Sequence, residues 1–163
     1  MFIPPRYVLA PYLPTPHNVV EGMLRLADVK ASDTVYDLGC GDGRLVISAA
    51  ETRGARGLGV DIEPYWVEQS RLNASAAGVS HLARFEQADA LDLDLSPATV
   101  VFAYLVHWST RLVAQHFVKS ARPGTRLVSH SFPIELGPTR SESVVAEDGT
   151  SRIIHLFIAP SSS

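Results

Sequence analysis

"YDLGCGDGRLVISAA", residues 36–50, decides how this chain folds. A short strand-forming run, Thr34 to Tyr36, leads into the carboxylate of Asp37. Gly39, Gly41 and Gly43 follow at alternate positions, and a long apolar, alanine-rich run comes after them. A strand, a glycine turn and a helix in that order build a nucleotide site, because the turn gathers bare backbone N–H groups at a helix N-terminus. Two acids inside the turn, Asp37 and Asp42, make the identity of that nucleotide the question.

Upstream of this stretch, residues 1–15 are proline-rich and are expected to be extended over the domain. Thr15-Pro16 reads as an N-cap followed by proline at the first helical position. Val19, Val20, Met23, Leu24 and Ala27 share one helical face, which predicts a helix to about Ala31. Downstream, the strand at Thr34–Leu38 gives way to a helix over about 43–52. "RGLGVDIEP" reads as a second strand ending in Asp61, and Pro64 opens a helix over about 64–78 that Gly78 closes. "ARFEQADAL" reads as a third strand with Asp89 at its end. "TVVFAYL" is continuously apolar, as a central strand buried on both faces would be. A helix is predicted from Ser109 to Ala121, with Leu112, Val113, His116 and Phe117 on one face. Arg122-Pro123-Gly124 is a turn, "TRLVSHSF" a fifth strand, and "SESVVAE" and "SRIIHLFIA" a pair joined by the hairpin signal Asp148-Gly149. The expected fold is α/β, Rossmann-like, with a mostly parallel sheet, helices on both faces and an antiparallel C-terminal hairpin strand. One domain is expected over residues 1–163, with 161–163 a frayed tail.

In such sheets ligands sit beyond the C-terminal strand ends, where the strand order switches. Asp61 falls there, 24 residues after Asp37, and can accept both ribose hydroxyls of an adenosine. Asp89 falls there too and can reach the adenine amino group. A dinucleotide would set its pyrophosphate against Asp37 and Asp42. At about 4 Å a like-charge pair is worth ~1 kcal/mol in water and ~4 kcal/mol at an effective dielectric near 20. A ligand carrying an ammonium is instead attracted. S-adenosylmethionine has an adenosine, an ammonium and a sulfonium, and no phosphate. The spacing here is G-x-G-x-G, whereas the dinucleotide fingerprint is G-x-G-x-x-G.

"VYDLGCGDG" resembles the first motif of class I S-adenosylmethionine-dependent methyltransferases, and "GVDIEP", "FEQADAL" and "VVFAYL" resemble the second, third and fourth, in order. "PYLPTPHNVVEGML", "DLGCGDGRLVI" and "PGTRLVSHSFPI" resemble the small methyltransferases grouped with the ATP synthase c-subunit lysine methyltransferase. Together these motifs cover about residues 11–158. The resemblance implies a seven-stranded sheet with a reversed last strand. It implies that Asp37, Gly39, Gly41 and Asp42 hold the methionine end, and that Cys40 and Gly43 belong to the same cofactor-binding loop. It implies Asp61 on the ribose, Ile62, Asp89 and Ala90 around the adenine, Tyr104 near the methyl group, and Thr15 and Pro16 in a lid. It points to a protein lysine as acceptor. A small-molecule acceptor, or cofactor binding without catalysis, are the alternatives. "YLVHW" after the fourth strand lacks the proline pair typical of amide and nucleobase methylation, which argues against those acceptors.

Composition narrows the partners. A hydrophobic fraction of 46% and a charged fraction of 19% suit a globular domain, and a net charge of -3 leaves no basic footprint for nucleic acid. Prolines interrupt every apolar run of the first 16 residues, so no signal peptide is expected; no run of about 18 apolar residues exists, so no membrane span is expected, and the expected location is cytoplasmic. The single cysteine, Cys40, excludes an internal disulfide and has no base beside it in the sequence. Six histidines are scattered without ligand spacing, so no metal is expected. Tyr104, His107 and His130 lie on the ligand-binding edge and are the candidates to take or relay a proton. For either histidine the competing role is a hydrogen-bonded structural one. Asp61 can equally cap the helix that Pro64 opens, and Asp89 can be a simple loop acid.

Overall fold

The computed structural model describes residues 14–104, 110–130 and 137–161. Seven strands form one sheet: β1 (Thr34–Leu38), β2 (Arg56–Asp61), β3 (Ala83–Gln87), β4 (Val100–Tyr104), β5 (Arg126–His130), β6 (Arg140–Val145) and β7 (Ser151–Ile158). Their spatial order is β3-β2-β1-β4-β5-β7-β6. β1 to β5 run parallel, and β7 is antiparallel to both β5 and β6. β4 is the middle strand, as its unbroken apolar run predicts, and Val100 to Ala103 are fully buried. The hairpin partner β7 is the strand that reaches β5. It carries buried Ile154 and Phe157, whereas β6 alternates exposed and half-buried residues and ends the sheet. Charged Arg140 and Glu142, paired at 2.8 Å, sit on that edge strand, which discourages pairing with another chain.

Among the described residues, four α-helices cover the sheet: α1 (His17–Leu26), α2 (Arg44–Arg53), α3 (Pro64–Ala76) and α4 (Thr110–Ser120). Alternate strand residues serve the two faces. Val35, Val100, Phe102, Val128 and Ile154 pack with α1 and α2. Tyr36, Val101, Ala103, Leu127 and Phe157 pack with Val113 and Phe117 of α4. The α1 residues predicted to share a face, Val19, Val20, Met23, Leu24 and Ala27, are all within 1% of full burial. On α4, Val113 and Phe117 are buried, and His116 bonds the Leu93 carbonyl at 2.6 Å. Among the described residues, no helix is long and apolar enough to cross a membrane.

Three local expectations are corrected. α1 stops at Leu26 and not near Ala31, because Asp28 takes a left-handed conformation (φ 53°) and Val29 N–H turns back to Leu24 O at 3.1 Å. Its N-cap is Pro16 and not Thr15, whose hydroxyl is engaged elsewhere. β3 ends at Gln87, so Asp89 lies two residues past the strand, where it caps a single 3₁₀ turn (Ala90–Asp92) by accepting Leu91 N–H at 2.9 Å. The expected extension of 1–15 lies outside the described residues except at its last two positions, and the tail serines 162–163 lie outside too.

β2 carries glycine where the sheet meets α2 and the turn before it. A Cβ on Gly59 would stand 2.7 Å from Cys40 Cβ and 2.7 Å from Phe85 Cδ1, and one on Gly57 would stand 2.6 Å from Val46 Cγ1. Gly59→Ala is therefore expected to destabilise the fold by ~1–3 kcal/mol through overpacking, read as a lower urea midpoint at unchanged slope.

Candidate functional site

The parallel strands β1, β2, β4 and β5 end on one edge of the sheet, and the order reverses between β1 and β4. Asp37 is the penultimate residue of β1, Asp61 the last of β2, Tyr104 the last of β4 and His130 the last of β5. The glycine turn leaves β1 over this edge. Gly39 and Cys40 N–H both bond Val60 O, at 2.9 and 2.8 Å, which ties the turn to β2. Gly39, Gly41 and Gly43 have φ of 83°, 54° and 85°, a region that side chains other than glycine's rarely enter. A Cβ at Gly39 or Gly41 would meet nothing within 4 Å, so these two face open space. Gly43 faces the core, where its Cβ would stand 2.9 Å from Phe85 Cζ.

The carboxylates differ in environment. Asp61 Oδ2 accepts Gly41 N–H at 3.0 Å and Oδ1 accepts Glu63 N–H at 3.0 Å, so backbone donors fix its plane beside the turn. Asp42 is gripped by Arg44, whose Nη2 reaches Oδ2 at 2.7 Å and whose Nε reaches Oδ1 at 3.0 Å. This pairing offsets one of the two charges that the sequence sets against a phosphate. The charge of Asp37 is not offset in this way. It is 8% exposed, and burial together with the charges of Asp61 and Asp42 holds its pKa well above the usual carboxylate range. Its carboxylate has no hydrogen-bond partner among the described residues. Such a group is relieved by a cation and opposes an anion.

Other predicted residues fall as follows. Ile62 is half-buried beside Asp61, and its carbonyl accepts from Gln87 Nε2 at 3.2 Å. Ala90 is buried under the 3₁₀ turn. Cys40 packs its side chain with Val46, Val67 and Phe85, its thiol 3.8 Å from both Gly41 O and Ser70 Oγ, and burial and the charge of Asp37 push the thiol pKa up. His107 lies outside the described residues. Tyr104 is half-buried and stacks on His130, centroids 4.0 Å apart and planes 30° apart. Thr15 Oγ1 lies 3.3 Å from His130 Nδ1, and Arg152 Nη1 lies 3.2 Å from His130 Nε2. Pro16 follows Thr15 at the start of α1.

Four residues of this edge escaped the sequence analysis. Arg44 also donates to Thr15 O at 3.0 Å, joining the glycine turn to the segment before α1. Ser70 donates to Gly41 O at 2.7 Å and Asn73 to Asp42 O at 2.9 Å, so one face of α3 props the turn from below. Their spacing of three is the available signal, since it puts both on one helix face. Arg152 comes from β7, and nothing local in the sequence connects it to His130.

Burial and the Arg152 charge hold the His130 pKa down to about 4, against an ordinary 6.5. The unfolded chain therefore binds the extra proton between these values. The contribution is fully present above the unfolded pKa and is lost as pH falls toward about 4, up to ~3 kcal/mol in all. Urea midpoints at pH 7 and pH 4.5 are expected to differ more for the native protein than for His130→Asn.

A doubly wound sheet with strand order 3-2-1-4-5-7-6, a glycine turn over its parallel strand ends and the acids Asp37, Asp42 and Asp61 beside that turn define the class of fold and the edge on which its ligand site lies. A family model described as the ANTKMT methyltransferase domain matches residues 37–139. A Saccharolobus islandicus protein named protein-lysine N-methyltransferase is 37% identical over 150 residues, covering 91% of this chain and 92% of its own length. The Mus musculus adenine nucleotide translocase lysine N-methyltransferase is 29% identical, covering 91% of this chain, which spans 63% of that enzyme. The crystal structure of a Salinibacter ruber protein named RNA methyltransferase, in complex with S-adenosyl-L-homocysteine, superposes with a TM-score of 0.86 at 41% identity, covering 93% of this chain and 96% of that one. The chain belongs to the ANTKMT methyltransferase family and is an S-adenosylmethionine-dependent methyltransferase.

Proposed function

We propose that this chain methylates the side-chain amine of lysine in a protein. The observation that carries it is the Saccharolobus islandicus relative, which matches over nearly the whole of both chains and is named for that acceptor. The absence of a proline pair after Tyr104-Leu105 and the net charge of -3 favour an amine on a protein over a nucleobase. The Salinibacter ruber protein is named for RNA instead, and the test below separates the two acceptors.

In this reading Asp37 takes the ammonium of the cofactor, with Asp42 and the N–H groups of the turn beside it. Asp61 takes the ribose hydroxyls. Ile62, Asp89 and Ala90 border the adenine, and Tyr104, Thr15 and Pro16 border the methyl end. When bound, S-adenosylmethionine supplies a methyl group already activated by the sulfonium. The residues of the chain therefore orient, exclude water and hold the acceptor, for which in-line geometry is the main demand. The acceptor amine must be neutral, and a shielded site favours that form by disfavouring charge.

Cell extract incubated with the protein and methyl-labelled S-adenosylmethionine is expected to show label in one or a few protein bands. Protease should remove the bands, and acid hydrolysis should return methyl-lysine. Label that ribonuclease releases would move the acceptor to RNA. Label confined to the small-molecule fraction would move it to a metabolite.

A further inference from the structure

His130 is fully buried at the end of β5, and every polar contact of its ring is accounted for among the described residues. A guanidinium has only donors, so Arg152 Nη1, 3.2 Å from Nε2, requires a lone pair on that nitrogen. In the neutral ring the hydrogen then sits on Nδ1 and is donated to Thr15 Oγ1. Among the described residues Arg152, itself near Asp148 at 3.9 Å, is the charged group facing the ring, and it opposes a second proton there, as does burial. No lone pair remains with which to accept a proton from a reacting group. Thr15 is meanwhile held at its backbone carbonyl, to which Arg44 donates while gripping Asp42. The residue thus bridges from the glycine turn after β1 to the end of β5, across the end of β4, where Tyr104 lies against the His130 ring. That span crosses the switch point of the sheet, the place where a ligand binds.

We propose that His130 is a positioning residue for methyl transfer: as the Nδ1–H tautomer it donates to Thr15 Oγ1 and backs the Tyr104 ring, and it takes no proton from the acceptor. Thr15 Oγ1 then keeps a second lone pair and its own hydrogen for the acceptor side. This role rests on the methyltransferase function described above.

The test measures labelled methyl transfer from saturating S-adenosylmethionine to a protein extract, alongside calorimetric binding of the cofactor. Asn places an amide N–H where Nδ1–H stood, so His130→Asn is expected to keep the rate within about threefold, the loss of one weak contact. Thr15→Val is expected to lower the rate at saturating cofactor about tenfold, and Thr15→Ser to restore it. In the double variant Thr15→Val with His130→Asn the two effects should not multiply, because the second acts through the first. A drop of roughly 10²–10⁴ in His130→Asn, with the acid limb of the pH–rate profile abolished, is the signature of a lost general base and overturns the proposal. A Thr15→Val enzyme at full rate overturns it as well, as does a folded His130→Asn protein that no longer binds the cofactor. Failure of the native protein to bind S-adenosylmethionine at all would strike the methyltransferase assignment, a separate result.

Discussion

Asp61→Ala is expected to weaken S-adenosylmethionine binding by ~2–4 kcal/mol, about 30- to 1,000-fold in dissociation constant. The size follows from the chemistry. Hydrogen bonds to a charged group are worth ~1.5–3 kcal/mol each, and a ribose presents two hydroxyls. Asp61 is held in place: Gly41 N–H and Glu63 N–H each occupy one lone pair, one on each oxygen. The remaining lone pairs are free for a diol. Those same two contacts make the residue a brace for the turn and for the start of α3, so the free variant should also lose ~1–2 kcal/mol of stability. Calorimetric titration and urea unfolding read the two effects separately. Unchanged affinity with a large loss of stability would leave Asp61 as a brace alone.

Asp37→Asn is expected to move affinity and stability in opposite directions. The native carboxylate is buried, lacks a partner among the described residues and faces the charges of Asp61 and Asp42. Its folded pKa is raised, so the folded state binds the proton more tightly than the unfolded chain does. Stability then falls as pH rises through the window between the ordinary carboxylate pKa and the raised one. The neutral amide removes that burden, so the variant should melt higher than the native protein at neutral pH. It should also bind S-adenosylmethionine about 10- to 150-fold more weakly, having lost ~1.5–3 kcal/mol of charge-assisted contact to the ammonium. Below the raised pKa the native protein should release a proton on binding, because a cation beside Asp37 favours its charged form. Titrations in two buffers of different ionisation enthalpy measure that release. A variant that is less stable and binds as tightly would assign Asp37 to structure.

The parts of the fold legible in the sequence are those governed by local rules. The bounds of β1 match their prediction, the unbroken apolar run of β4 gives its central place, and Asp148-Gly149 turns the final hairpin with Gly149 at φ 85°. The order of β6 and β7 was not legible, since either arm of a hairpin can face β5. The polar alternation of β6 selects it for the edge only once the rest of the sheet is in place. The end of α1 was missed because Asp28 does there what glycine ordinarily does. On the edge of the sheet, the places of Asp37, Asp61 and the glycines were legible because strand ends and spacing mark them. Arg44, Ser70, Asn73 and Arg152 were not, since each acts through a contact with residues distant in the chain or, for Arg44, through a pairing that the motif does not announce. Arg44 also changes the electrostatics: of the two acids in the turn it pairs Asp42, and the proposed discrimination among nucleotides then rests on Asp37.

That discrimination is the central physical claim, and parallel titration of the purified protein with S-adenosylmethionine and NAD tests it most directly. S-adenosylmethionine is expected to bind, and at 100 times its dissociation constant to add ~2.7 kcal/mol of stability, a melting shift of several degrees for a chain of this size. NAD, whose pyrophosphate would lie against Asp37, is expected to give neither heat of binding nor a shift. Binding of NAD with none of S-adenosylmethionine would contradict the account.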